Sequence, residues 1–338
     1  RSEEKAITFI SFSLINVTVT MALNIYFVVH LNKGVDGVLK ANIIASGLVS
    51  ILSLPIIFRI TKIKFFKKSI LLKVLRFSLP FLPAGIFTMI MELSDRYLIE
   101  WLLGTAEVGL YSAGKKMGML GLTAVMGFNM GWTPFFLKRG KNKNAKKEFK
   151  IITTIFLGVM GYICFLVSLW ISDLMKFTIF GATLIGVEFW DCESIVSLIL
   201  LGYFFFGTYV IQLPGVYIKE ITGWIPFFRI IGASVLVLSS IIIIPIFGIY
   251  GAAIGVVLAF FSMSLSIYLK VQTVYSIPYN WRGIMFPILA LLLVQIRFDI
   301  VMYKMVFSLL FPFIWFLFAT ENEEREIFKN QFLQFFKK

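Results

Sequence analysis

The chain has 338 residues, 59% of them hydrophobic, with 32 Lys and Arg against 18 Asp and Glu and a net charge of +14. In a soluble protein that charge would suit a nucleic-acid partner. Here the basic residues gather in short loops between apolar segments, and no Lys/Arg run is interleaved with aromatics on a polar domain, which argues against nucleic-acid binding. A single histidine, His30, and two separated cysteines, Cys164 and Cys192, leave no metal-ligand set and no disulfide framework.

Crossing a bilayer takes about 20 residues of apolar helix. Ten segments are read as spans, at about 6–31, 37–58, 77–103, 110–136, 150–171, 193–215, 224–246, 251–269, 283–296 and 300–319. The fold class is therefore all-α, a polytopic membrane protein of about ten transmembrane helices. With the first residue on the inside, the loops 1–5, 59–76, 137–149, 216–223, 270–282 and 320–338 hold 22 of the 32 basic residues. The outside loops hold only Lys33, Lys176 and Arg297. The positive-inside rule then places both ends of this chain in the cytoplasm. All seven tryptophans fall near span ends, where an amphipathic ring prefers the headgroup level. Lys40 and Lys304 read as outer-edge anchors.

Spans one and two are joined by Gly34-Val35-Asp36-Gly37, and spans seven and eight by Gly248-Ile249-Tyr250-Gly251, 214 residues later. An internal repeat of this period pairs the two hairpins and implies a six-helix unit built twice. The predicted organisation is 1–58, the last two helices of a first lobe; 59–76, a basic connector; 77–269, a second six-helix lobe; and 270–338, two further helices and a cytoplasmic tail. The first lobe is then incomplete, with about four helices expected ahead of residue 1. The connector contains Lys62-Ile63-Lys64-Phe65-Phe66-Lys67-Lys68, basic and apolar residues in alternating clusters, as expected for a helix lying on an anionic leaflet.

Span three is the anomaly. It contains Glu92, Asp95, Arg96 and Glu100, and intramembrane charges of this kind cost about 2.5–3.5 kcal/mol each unless they meet partners or water. Glu92, Arg96 and Glu100 recur every four residues on one helix face, with Asp95 beside them. Lys115 and Lys116 on span four lie at a similar depth. The set reads either as ion pairs that fix helix packing or as the wall of a hydrated cavity. Pro80 and Pro83, with Gly85, predict a bend at the start of span three. Arg229, about five residues into span seven, either snorkels to the headgroups or binds a phosphate.

Three motifs in order carry a family resemblance: Asp95-Arg96-Tyr97-Leu98-Ile99 with Leu103-Gly104, then Glu107-Val108-Gly109-Leu110-Tyr111-Ser112-Ala113-Gly114, then Trp132-Thr133-Pro134-Phe135-Phe136. Together they resemble the Wzx-type polysaccharide flippases of the multidrug/oligosaccharidyl-lipid/polysaccharide exporter superfamily, most closely over 77–150. Lys115-Lys116 departs from the pattern, which has an aromatic residue and a single lysine there.

The resemblance implies a two-lobed, non-enzymatic transporter in the bacterial plasma membrane. By alternating access it would move undecaprenyl-pyrophosphate-linked oligosaccharide from the inner to the outer leaflet. No cofactor is implied, and the implied partners are membrane lipids, the lipid-linked oligosaccharide and other polysaccharide assembly proteins. Glu92, Asp95, Arg96, Glu100, Lys115, Lys116 and Arg229 are the candidate cavity residues. Two rivals stand beside it: a cation-coupled drug antiporter of the same superfamily, using the acidic residues, and a membrane polysaccharide polymerase or ligase. The second needs an outer catalytic platform, and the longest outside loop, about 172–192, is short and lacks His and Arg.

Overall fold

The computed structural model describes residues 6–60, 67–179, 182–183, 185–296, 300–322 and 324–326. Lys62 and Lys64 of the connector, Arg297 and the tail beyond 326 lie outside the described residues. The chain forms two compact units, Arg1–Val74 and Leu75–Lys338.

The first unit contains a helical hairpin. Helix α1 (Ala6–Asn24) runs into a π-helical turn (Ile25–His30), and α2 (Gly34–Ile60) returns alongside it. Helix α3 (Lys68–Ser78) follows and buries no residue. Helical geometry puts Lys68, Lys73 and Arg76 on one side of α3 and Ile70, Leu71, Val74 and Leu75 on the other.

The second unit holds α4 (Phe81–Leu103), α5 (Thr105–Arg139), α6 (Ala145–Lys176), α7 (Glu193–Val210), α8 (Leu213–Ile218), α9 (Ile225–Phe247), α10 (Ile249–Val274), α11 (Trp281–Leu293) and α12 (Val301–Ile314). Eight of the described helical segments are long and apolar enough to cross a membrane. The remaining two expected spans differ for opposite reasons. Helix α5 has length to spare, at 35 residues, but interrupts its apolar sequence with Glu107, Lys115 and Lys116. Helix α11 is apolar but has 13 residues, about 20 Å of the ~30 Å hydrocarbon core.

Helix α7 is the centre of the second unit. It is apolar on all sides because α5, α6 and α10 enclose it. Apolar surface gives little drive to helix association within lipid, so close packing has to hold the bundle. Gly114, Gly118 and Gly121 supply it on α5. A methyl group at Gly114 would stand 2.7 Å from Ile195, and one at Gly121 3.1 Å from Leu200, while one at Gly118 would collide with Ile199. Helix α9 packs between α4 and α10, and α11 and α12 pack against α6.

The two glycine turns read from the sequence as a repeat are alike in the sign of φ at their first glycine. Gly34 and Gly248 both adopt positive φ, +50° and +59°, a region that favours glycine. Their partners three residues on are both crowded by the preceding helix: a Cβ on Gly37 would lie 3.0 Å from Phe27 Cβ, and one on Gly251 would lie 2.6 Å from the Ile243 carbonyl oxygen.

Several expectations are corrected. Pro80 and Pro83 do not bend a continuous span; they occupy the turn and first helical positions between α3 and α4, where the missing N–H costs nothing. The expected loop 172–192 is largely ordered: α6 runs on to Lys176, followed by a two-stranded antiparallel hairpin, β1 (Thr178–Ile179) with β2 (Ala182–Thr183), and a 3-10 helix (Val187–Cys192). Trp132 and Trp315, expected at the headgroups, are only 2% and 5% exposed and pack within the protein. Lys304 is not an edge anchor either, being buried and paired with Asp173 at 2.5 Å. Lys40 is exposed and pairs with Asp36 on its own helix.

At the end of the bundle that carries the basic loops, a polar knot closes the second unit. The Asn280 side chain caps α11 by accepting from Gly283 N (3.2 Å), and its amide donates to the Ala319 carbonyl and to Glu324 Oε2, each at 2.8 Å. Glu324 is 2% exposed, and Lys150 at the start of α6 reaches Glu321 at 2.6 Å.

Candidate functional site

Helix α4 sorts its charges by register. Met91, Asp95 and Ile99 fall on the face packed into the unit, and Asp95 is completely buried. Glu92 and Glu100 are exposed and Arg96 is half-buried. The four residues expected to act as one group therefore divide: one acid turns inward, and three charges line the outer side of the helix.

Asp95 has a partner for each oxygen. Oδ1 accepts the Arg96 backbone N–H (2.8 Å), and Oδ2 accepts the Tyr111 hydroxyl (2.7 Å) and the ammonium group of Lys115. Lys115 also donates to the Glu92 carbonyl oxygen at 3.1 Å and sits over the Tyr111 ring. Tyr111 and Lys115, four residues apart, project from the same side of α5. A carboxylate held by three donors in a nearly sealed site is compensated for the loss of water, as a buried charge must be.

Lys116, one residue on, is exposed. Of the two adjacent lysines, Lys115 enters the site and Lys116 does not. Tyr111 belongs to the second sequence motif, but sequence reasoning assigns it no role. Its signal in the sequence is the i, i+4 spacing to Lys115, with an aspartate available on the preceding helix.

Arg229 comes to the same region from α9. It does not reach outward: Nη1 donates to Thr88 Oγ1 on α4 (2.9 Å), and the guanidinium lies 5.2 Å from the Tyr209 ring centroid and 5.8 Å from that of Phe206. Its Nε is buried and has no partner among the described residues. No carboxylate among the described residues pairs with it. Thr88 in turn donates to the Ala84 carbonyl oxygen (2.8 Å), which fixes its hydroxyl as an acceptor for the arginine.

A cavity of about 120 Å³ joins these groups, lined by Glu92, Lys115 and Arg229 with Thr88, Tyr203 and Phe206. Asp95, Arg96, Glu100 and Lys116 are not among its lining residues. One acid and two bases meet on an aromatic wall, with Lys115 already neutralised by Asp95. Arg229 is thus the one cation on this wall with no acidic partner among the described residues, and it can donate to an anionic oxygen while keeping its bond to Thr88.

With this geometry in view, three comparisons bear on the chain. The family described as polysaccharide biosynthesis protein matches residues 4–139, which include α4 and the whole of α5. No curated protein sequence matches significantly.

Among solved structures, the Vibrio cholerae MATE transporter VcmN in its bent form is similar with a TM-score of 0.55 and 13% identity, over 83% of this chain and 63% of that one. A proline-to-alanine point mutant of a MATE protein aligns with a TM-score of 0.56 and 16% identity, over 78% of this chain and 60% of that one. An aspartate-to-asparagine mutant of VcmN gives 0.55 and 16%, over 78% and 61%. The chain thus has the fold of the MATE transporters, a predominantly helical multi-pass membrane architecture, and spans 60–63% of their length.

Proposed function

We propose that this chain serves in moving undecaprenyl-pyrophosphate-linked oligosaccharide from the inner to the outer leaflet of a bacterial plasma membrane. The observation that carries the reading is Arg229, a cation on a cavity wall with no carboxylate partner among the described residues, held by a threonine and two aromatic rings. A pyrophosphate presents several anionic oxygens, and a guanidinium of this kind pairs with two of them at once. The match to the polysaccharide biosynthesis family supports the same substrate class. In this reading the first unit supplies two helices of a partner lobe, and α3 rides on the anionic leaflet as the connector between lobes.

The drug-antiporter reading draws on one observation, the exposed Glu92 on the same wall. Asp95 does not add to it, because both of its oxygens are engaged by the protein.

The test is transport by the chain in proteoliposomes carrying a fluorescent undecaprenyl-pyrophosphate oligosaccharide, read by quencher accessibility. Arg229→Ala is expected to slow translocation at least tenfold, because a charge-assisted hydrogen bond to an anion contributes about 1.5–3 kcal/mol. Arg229→Lys should restore part of it. Translocation unaffected by Arg229→Ala, combined with cationic-drug uptake lost in Glu92→Gln, would overturn the flippase reading.

A further inference from the structure

A second cavity, of about 310 Å³, opens at the end of the second unit remote from the basic loops, between α6, α7, α10, α11 and α12. It shares no residue with the wall around Arg229. Its size falls at the lower end of the range for small-molecule sites, ~300–1,000 Å³. Its lining departs from what a membrane bundle needs for packing alone, since four helices and Gln295, just past the end of α11, direct polar groups into one space.

The charges in this cavity balance and are mostly engaged. Lys304 is 6% exposed, bonds Asp173 at 2.5 Å and sits 5.7 Å from the Trp170 ring centroid. The indole N–H of Trp170 donates to Ser308 Oγ (3.0 Å), and Ser308 donates to the Lys304 carbonyl oxygen (2.7 Å), so the lysine stands in a built frame. Lys176 lies over the Trp190 ring. Two lysines against Asp173 and Glu193 leave no net field for an anion or a cation. No group of His, Cys, Asp and Glu that could hold a metal occurs among the described residues.

What remains available is hydrogen bonding to a neutral ligand. Glu193 has no ion-pair partner among the described residues and offers two acceptor oxygens. Gln295 donates to the Leu291 carbonyl oxygen (3.2 Å), which leaves its own amide oxygen to accept. Ser168 and Ser197 are both buried on this wall, and the Ser168 hydroxyl finds no partner among the described residues. Tyr250, two residues past the Gly248 turn, adds an aromatic surface with a polar tip.

A neutral polyhydroxylated ring satisfies such a set. Each of its hydroxyls is donor and acceptor at once, a carboxylate and an amide oxygen take its protons, and its C–H face lies on an aromatic ring. The geometry points to a saccharide-binding site in this cavity, sized for one or two glycosyl rings. The inference goes beyond the flippase reading and does not require it.

The test is saturation-transfer NMR on the full chain in lipid nanodiscs. The probes are maltose and N-acetylglucosamine, with inorganic phosphate and sodium observed in parallel. Transfer to saccharide ring protons is expected, with affinity reduced roughly tenfold or more by Glu193→Gln, which removes a charged acceptor at a half-exposed helix start. Ser197→Ala should reduce it less and provides a second variant that leaves the charges in place.

A parallel arm with undecaprenyl-linked oligosaccharide in the nanodisc separates two sources of the same chemistry. Binding of the free sugars shows that the glycan suffices. Binding of the lipid-linked sugar alone places its source in the membrane, and either result supports the site if Glu193→Gln weakens it. The inference is overturned by transfer that both variants leave unchanged, by no transfer from either source, or by phosphate or sodium binding in place of sugar. Because the flippase reading is tested at Arg229, either proposal can fail alone.

Discussion

Two lysine–aspartate pairs sit in the second unit, and they differ in the acid, not in the base. Lys115 and Lys304 are both almost fully buried. Asp95 is sealed on every side, whereas the Asp173 side chain is 44% exposed. Asp95 must therefore obtain from Lys115, Tyr111 and backbone N–H what water would have given it. Asp173 shares its charge between a lysine and the solvent of a polar cavity. The exposure of the acid decides whether such a pair acts as an internal strut or as part of an accessible wall.

The largest expected effect comes from breaking the sealed pair on one side. Lys115→Ala should destabilise the protein by about 3–5 kcal/mol, the cost of an uncompensated buried carboxylate. Urea unfolding in detergent measures it. Replacing both members, Asp95→Asn with Lys115→Met, should recover most of the loss, because the penalty arises from the stranded charge. If the single and double variants were equally damaged, the contrast drawn between the two pairs would be wrong.

Next in size is Gly118→Ala. The added methyl group collides with Ile199 and should cost about 1–3 kcal/mol through overpacking of α5 on α7. A thermal melt would show whether the loss extends to the Asp95 pair, through the buried tyrosine hydroxyl that Tyr111 contributes from α5.

Lys304→Ala should cost less, on the order of 1 kcal/mol, since Asp173 regains water. A loss as great as that of Lys115→Ala would show that the second cavity is closed in solution. Smallest of all is Lys116→Ala, exposed and outside both cavities, with an expected change within about 0.5 kcal/mol. A larger shift would mean that this lysine has a partner not seen in the described residues.

The long helices are legible in the sequence because hydropathy and length report burial in lipid directly, and every one of the ten expected spans corresponds to a helical segment. The likeness of the two turns is legible too, because Gly34 and Gly248 are needed for a backbone conformation that other residues seldom adopt. Periodicity groups Glu92, Arg96 and Glu100 on one face, of which only Glu92 lines the cavity. It does not show that Asp95 turns the other way, since that depends on which neighbour lies beside α4 and what donors it carries. Trp132 and Trp315 are misplaced by the sequence for a related reason: a tryptophan near a span end lies at the headgroups only if no other helix covers it. Arg229 is ambiguous in the sequence because Thr88, Phe206 and Tyr209, which surround it, come from two helices remote from its own in the chain.

The polar knot under α11 has a practical consequence for protein engineering. Asn280 ties together the cap of α11, the π-helical turn Trp315–Ala319 that follows α12, through the Ala319 carbonyl, and the carboxylate of Glu324. A purification tag or fluorescent fusion joined after residue 326 leaves all three bonds intact. One joined directly after Thr320 would remove Glu324 and leave half of a buried amide without its acceptor, with Lys150 losing Glu321 as well. Detergent yield of the two fusions, compared by size-exclusion fluorescence, would show how far the last helices depend on a few residues that cross no membrane.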